Sequence, residues 1–261
     1  MTELERIRQI DNDVFQEFQN YFEKLPESNF IKLYPKTAYI ISSLDTGANF
    51  IKCAIFDECE KDNYYAIKIL YRSLIEHFFK FKIIMIQWGK SKSDSFAVKY
   101  LEYAEAREIL DSLKAQVSEQ QLFDPKFEIK DWNNFLINYP AFKNKTRKEV
   151  DIESQNYTFK NMIRSLNIEL KSQQTPLFGK LINEYSLLSS FVHGGTRANK
   201  EMIIMNEEEE RLAEYNRLCG LSLQQSASIK LFSLLMYSQS DPQFGEYYHK
   251  VNSLLCKLNH Q

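Results

Sequence analysis

Seven glycines and six prolines are spread over 261 residues, and no other feature restricts the fold so strongly. Hairpins and tight turns draw on Gly for positive φ and on Pro for a fixed φ. A chain poor in both is expected to run as long helices joined by short polar links. An apolar content of 44% supplies enough side chain for one large core or two modest ones. The expected class is all-α, a multi-helix bundle of about eight to nine helices forming one domain over 1–261, with an irregular segment embedded at 122–155.

Periodicity places the helices. Thr2 and Glu5 make a capping box, and Leu4, Ile7, Val14, Phe18, Tyr21 and Leu25 follow at helical steps until Pro26 stops the run. A second helix is expected from Lys36 to Cys59. A third, capped by Asp62, runs to Trp88 and Gly89, and a fourth starts at Ser93 or Asp94. The 122–155 segment holds Pro125, Pro140 and a basic run from Lys143 to Lys148. Beyond it helices are expected over Asn156–Lys171 and Pro176–His193, from Asn206 to Ser240, and from Asp241 onward. The four glutamates after Asn206 suit the positive end of a helix dipole.

With 33 basic and 35 acidic residues the net charge is −2, so no global field recruits nucleic acid or an anionic membrane, and such a partner must be met by a local patch. Cys53, Cys59, Cys219 and Cys256 lack CxxC spacing, and the opening MTELERIRQID has no apolar signal core, so reduced thiols in a cytoplasm are expected. The most apolar stretch, FFKFKIIMIQW, is broken by Lys80 and Lys82 and falls short of the roughly 20 residues of a membrane span. No membrane partner is expected. Walker and Rossmann glycine patterns are missing. Glu246 and His249 give one E-x-x-H where a di-iron bundle uses two with further carboxylates, so neither metal nor cofactor is expected.

The stretch YRSLIEHFF, Tyr71 to Phe79, carries three polar groups through an apolar helix. At about 100° per residue, Leu70, Leu74, Phe78, Phe81 and Met85 form one stripe, while Tyr65, Ile69, Phe79 and Ile83 surround the opposite side with Arg72 and Glu76. A helix apolar on both sides is buried in a bundle or against a second subunit. Arg72 and Glu76 can then be a structural ion pair one turn apart. His77 lies about 100° further round, bordering the core stripe.

A second polar strip lies on the later helix, where Ser186, Ser189, Ser190 and His193 share a face. Its hydroxyls can satisfy a buried charge, and the natural partner is the helix bearing Arg72 and Glu76. Gly194, Gly195, Thr196, Arg197 and Lys200 follow, either as a glycine helix end with cations complementing the dipole or as an anion-holding turn for phosphate or carboxylate.

Arg72-Ser-Leu-Ile-Glu-His77 resembles the R-x4-6-H motif of the HEPN superfamily, helical proteins among which are metal-independent ribonucleases of toxin–antitoxin and defence systems. Ser73 departs from the Asn, Asp or His that usually follows the arginine there. The resemblance implies that His77 serves as general acid or base, that Arg72 stabilises charge on phosphate, and that Glu76 belongs to the site. It also implies a homodimer with the site at its interface, and a toxin or phage-defence effector with a protein partner. RNA would then be met by Lys143, Lys145, Arg147 and Lys148, with Trp132, Phe135, Tyr139 and Phe142 for base stacking. The chain is similar, more loosely, to bacterial helical proteins sharing R-S-L-x-E and S-x-x-x-H, here Arg72 to Glu76 and Ser189 to His193. The alternative to the ribonuclease is a non-catalytic interaction or ligand-binding module built on a buried Arg/Glu/Ser/His network.

Overall fold

A computed structural model describes residues 2–126, 142–170, 176–205 and 207–257. Among them are eleven α-helices and no strand. These are α1 (Glu3–Phe22), α2 (Asn29–Leu33), α3 (Pro35–Glu60), α4 (Tyr64–Ser91), α5 (Ser95–Gln121), α6 (Arg147–Ser154), α7 (Phe159–Leu170), α8 (Pro176–Val192), α9 (Thr196–Ile204), α10 (Glu208–Ser238) and α11 (Gln243–Cys256). The all-α class therefore holds, while the expected count of eight to nine is too low. Short helices account for the difference. Ser28 caps the five-residue α2, its Oγ accepting from Phe30 N–H at 3.1 Å, and α9 grows from what the sequence suggests is a turn. No helix among the described residues is long and apolar enough to cross a membrane.

The chain divides into two compact units, residues 1–90 with 173–261, and residues 91–172. In the second, Thr146 and Glu149 form a capping box at the start of α6. Tyr103, Ala106, Leu110, Phe142 and Val150 make its core, and Tyr103 stacks parallel to Tyr157 with ring centres 5.3 Å apart. Of the irregular segment expected at 122–155, residues 127–141, including Trp132, Phe135, Pro140 and Tyr139, lie outside the described residues.

The first unit holds α4, whose buried residues run from Tyr64 to Trp88 around its circumference. The expected cap at Asp62 is displaced by one position. Asn63 Oδ1 accepts from Ala66 N–H at 3.3 Å, while Asp62 turns the chain at φ 55°. Asp tolerates that left-handed region, and its carboxylate accepts from Arg211 Nε at 2.6 Å and from the Tyr215 hydroxyl at 2.7 Å.

Four lysines are buried in this unit: Lys52, Lys68, Lys82 and Lys230. An ammonium removed from water loses several kcal/mol, on the order of what a close carboxylate can return. Lys52 of α3 pairs with Asp11 of α1, Lys230 of α10 with Asp45 of α3 at 2.7 Å, and Lys68 of α4 with Glu201 of α9 at 3.0 Å and with Glu214 of α10. Lys82 has no ion pair among the described residues. Its ammonium lies 3.1 Å from the centre of the Phe232 ring and 5.4 Å from that of Phe78. Burial pulls its pKa down to about 7.

A lysine so depressed sets a pH dependence. Above pH 7 the native state binds fewer protons than the unfolded chain, whose lysines titrate near 10.4, so stability rises with pH. The rise is at most about 1.4 kcal/mol per pH unit from this one group. Urea unfolding between pH 7 and 9 is expected to show it. Lys82→Met is expected to be more stable than the parent at pH 7 and to lose the rise.

Candidate functional site

Arg72 and Glu76 stand one turn apart on α4, and Tyr185 and Ser189 one turn apart on α8. The two pairs interlock. Arg72 Nε donates to Ser189 Oγ at 3.3 Å, Nη2 donates to the Tyr185 hydroxyl oxygen at 2.5 Å, and Nη1 lies 3.2 Å from Glu76 Oε1. The Tyr185 hydroxyl donates to the same Glu76 oxygen at 2.8 Å, and the Ser189 hydroxyl to the Tyr185 carbonyl at 3.1 Å. The guanidinium carbon also sits 4.4 Å from the centre of the Tyr185 ring. Burial, then the bond to Glu76, pushes the Tyr185 phenol well above its ordinary pKa, so it stays a proton donor. Side chains of Arg72 and Glu76 are 18% and 25% exposed, so the cluster is half-sealed.

His77 belongs to another contact. Five positions along a helix place it about 140° round from Arg72, and its Nδ1 donates to the Ser73 carbonyl at 2.9 Å. The ring lies against α3, where a Cβ on Gly47 would stand 2.7 Å from His77 Nε2 and 2.9 Å from Cδ2. Glycine at 47 is what admits the imidazole. Arg72 and His77, which the resemblance brings into one site, have different partners here: Arg72 meets Glu76, Tyr185 and Ser189, and His77 meets the Ser73 carbonyl and Gly47. The sequence offers the strip of Ser186, Ser189, Ser190 and His193 to the helix of Arg72 and Glu76, and of these four Ser189 is the one that meets Arg72. Tyr185 went unnoticed, although Y-x-x-x-S repeats the one-turn spacing of R-x-x-x-E.

The rest of the second strip separates. His193 is exposed beyond the end of α8, and Ser186 is exposed as well, so neither joins Arg72. Ser190 acts on the next helix, its Oγ accepting from Ala198 N–H at 3.0 Å in the first turn of α9. Gly194 turns the chain at φ 60°, and a Cβ on Gly195 would come within 2.5 Å of Ser190 Oγ. Thr196, Arg197 and Lys200, read either as following a glycine helix end or as an anion-holding turn, lie in the first five residues of α9. All three side chains are exposed.

Arg197 alone of these reaches a cavity of about 400 Å³ in the same unit. Lys68, Lys180, Glu184, Glu201 and Arg217 line its polar side, and Leu187, Leu188 and Phe191 its apolar side. A ladder of ion pairs fixes the polar wall. Glu201 meets Lys68 and accepts from the Tyr64 hydroxyl at 2.6 Å, Lys68 meets Glu214, and Arg217 bridges Glu214 at 2.6 Å and Glu184 at 2.7 Å. Burial works to raise the Glu214 pKa, but hydrogen bonds from Arg217 and Lys68 outweigh it and hold the carboxyl below its usual range.

In the second unit, Lys143 and Lys148 are exposed and Arg147 is half-buried. Lys145 is committed internally, its Nζ 2.5 Å from Glu153 Oε2 and bonded to the Tyr103 hydroxyl. Phe142 is a core residue, 1% exposed, and offers no face for base stacking. Among the described residues no three His, Cys, Asp or Glu side chains converge as metal ligands.

Two substitutions test the geometry. Tyr185→Phe removes the hydroxyl shared by Arg72 and Glu76 and is expected to cost about 1–2 kcal/mol in urea unfolding. Gly47→Ala gains about 1 kcal/mol of helix propensity yet is expected to destabilise, because the new methyl meets the His77 ring. In a His77→Ala background the same change is expected to stabilise. That reversal is the signature of direct contact.

Residues 38–211 match the model of a family of unknown function, DUF5677, and the chain belongs to that family. No curated protein and no solved structure matches the chain.

Proposed function

We propose that this DUF5677 protein works as a non-catalytic helical binding module. The observation that carries the reading is the division of the R-x4-H motif. The arginine is held by three side chains, Glu76, Tyr185 and Ser189, while His77 packs on Gly47 of another helix. A general acid or base must reach the proton it moves, and a phosphate-binding arginine turns its N–H groups to the developing charge, whereas Nε, Nη1 and Nη2 of Arg72 each face a protein oxygen. Here Arg72 instead braces α4 against α8, and both helices line the cavity that bears Lys68 and Arg197. Pre-set side chains of this kind lower the ordering cost of binding.

A second reading is an HEPN-like metal-independent endoribonuclease acting as a toxin or phage-defence effector, with a homodimer, RNA and a protein partner attached to it. The motif spacing supports it. It requires His77 to leave Gly47 and Arg72 to release its partners.

RNA cleavage by the purified full chain in the presence of chelator separates the two. The binding-module reading expects no cleavage above background and no difference between the parent and His77→Ala. Cleavage that disappears in His77→Ala would overturn it in favour of the nuclease.

A further inference from the structure

We infer that the cavity between α4, α8, α9 and α10 binds a small organic anion, a carboxylate or phosphate head on an apolar body; this rests on the binding-module reading. Four cations and two carboxylates line it. Lys68 and Arg217 are matched by Glu184, Glu201 and Glu214. Lys180 and Arg197 are exposed and have no ion pair among the described residues. Lys68, Lys180, Arg197 and Arg217 against Glu184, Glu201 and Glu214 leave one net positive charge about the cavity.

The ladder makes that surplus selective. Each carboxylate in the polar wall already faces an arginine or lysine, so an incoming cation or metal ion would compete with an existing pair and be repelled by Lys180 and Arg197. An anion breaks nothing. It can take paired N–H donors from the Arg197 guanidinium, whose planar fork matches both carboxylate and phosphate, and a point charge from Lys180. The opposite wall sets the rest of the ligand. Leu187 is half-buried and presents hydrocarbon that a bare inorganic ion would leave uncovered, and the edges of the buried Leu188 and Phe191 complete that side. A volume of about 400 Å³ falls within the roughly 300–1,000 Å³ of small-molecule sites.

Hexanoate, hexyl phosphate and hexanol serve as probes in calorimetric titrations of the full chain at constant ionic strength. At least one of the two anions is expected to bind saturably, and hexanol is not; which anion binds more tightly identifies the head group. Arg197→Ala is expected to weaken the bound anion about tenfold, the scale of one charge-assisted hydrogen bond. Because the Arg197 side chain has no ion pair or hydrogen bond among the described residues, the melting temperature of the variant is expected to match the parent's, and a matching melt separates a lost signal from unfolding. Lys180→Ala is expected to weaken binding less. The assignment is overturned if neither anion binds, if hexanol binds equally, or if Arg197→Ala leaves the affinity unchanged. Should the anions fail while RNA stays intact, only the cavity assignment falls. His77-dependent RNA cleavage would remove the binding-module reading with it.

Discussion

Charge buried between helices organises the first unit. Lys52, Lys68 and Lys230 are each taken from water within a bundle, and each is matched by a carboxylate from another helix. Such a pair is nearly neutral to stability when complete and costs several kcal/mol, about 3–5, when one partner is withdrawn. Its effect is therefore on arrangement. α3 can slide along α1 only by separating Lys52 from Asp11, and α10 along α3 only by separating Lys230 from Asp45. Apolar packing alone would tolerate those slips more readily.

The Arg72 cluster applies the same rule with neutral oxygens. A guanidinium half-buried between α4 and α8 takes one carboxylate from α4 and two hydroxyls from α8, so its charge is compensated without a second acid. The consequence reaches the cavity wall. Lys68 stands one turn before Arg72 on α4, and Leu188 adjoins Ser189 on α8, so the contact that orients Arg72 also sets the distance between the two walls. Lys82 lacks such a counter-charge among the described residues and rests on aromatic faces. Its depressed pKa is what burial does to an ammonium without a matching acid.

Much of the helix pattern was legible. The Thr2–Glu5 box, Pro176 and the acidic run before α10 mark starts because unsatisfied N–H groups and the helix dipole act over a single turn. Local signals failed where a helix is held from outside. α2 is five residues long, and its cap Ser28 donates in turn to Asp241 at 2.8 Å, far along the chain. α9 follows two glycines and takes its capping oxygen from Ser190 in the preceding helix. Gly47 lies inside α3, and its missing Cβ is what seats His77, a role no local signal displays.

By itself the sequence determined that the chain is helical, roughly where its long helices lie, and that Arg72 and Glu76 share a face of one of them. These are consequences of a repeat of 3.6 residues, which any short window displays. The tertiary structure alone decided that Arg72 meets Tyr185, that His77 turns to Gly47, and that Arg197 joins Lys68 and Arg217 around one cavity. Those contacts join positions as far apart as Arg72 and Tyr185, 113 residues along the chain. Periodicity orients a face but carries no information about which other face will cover it.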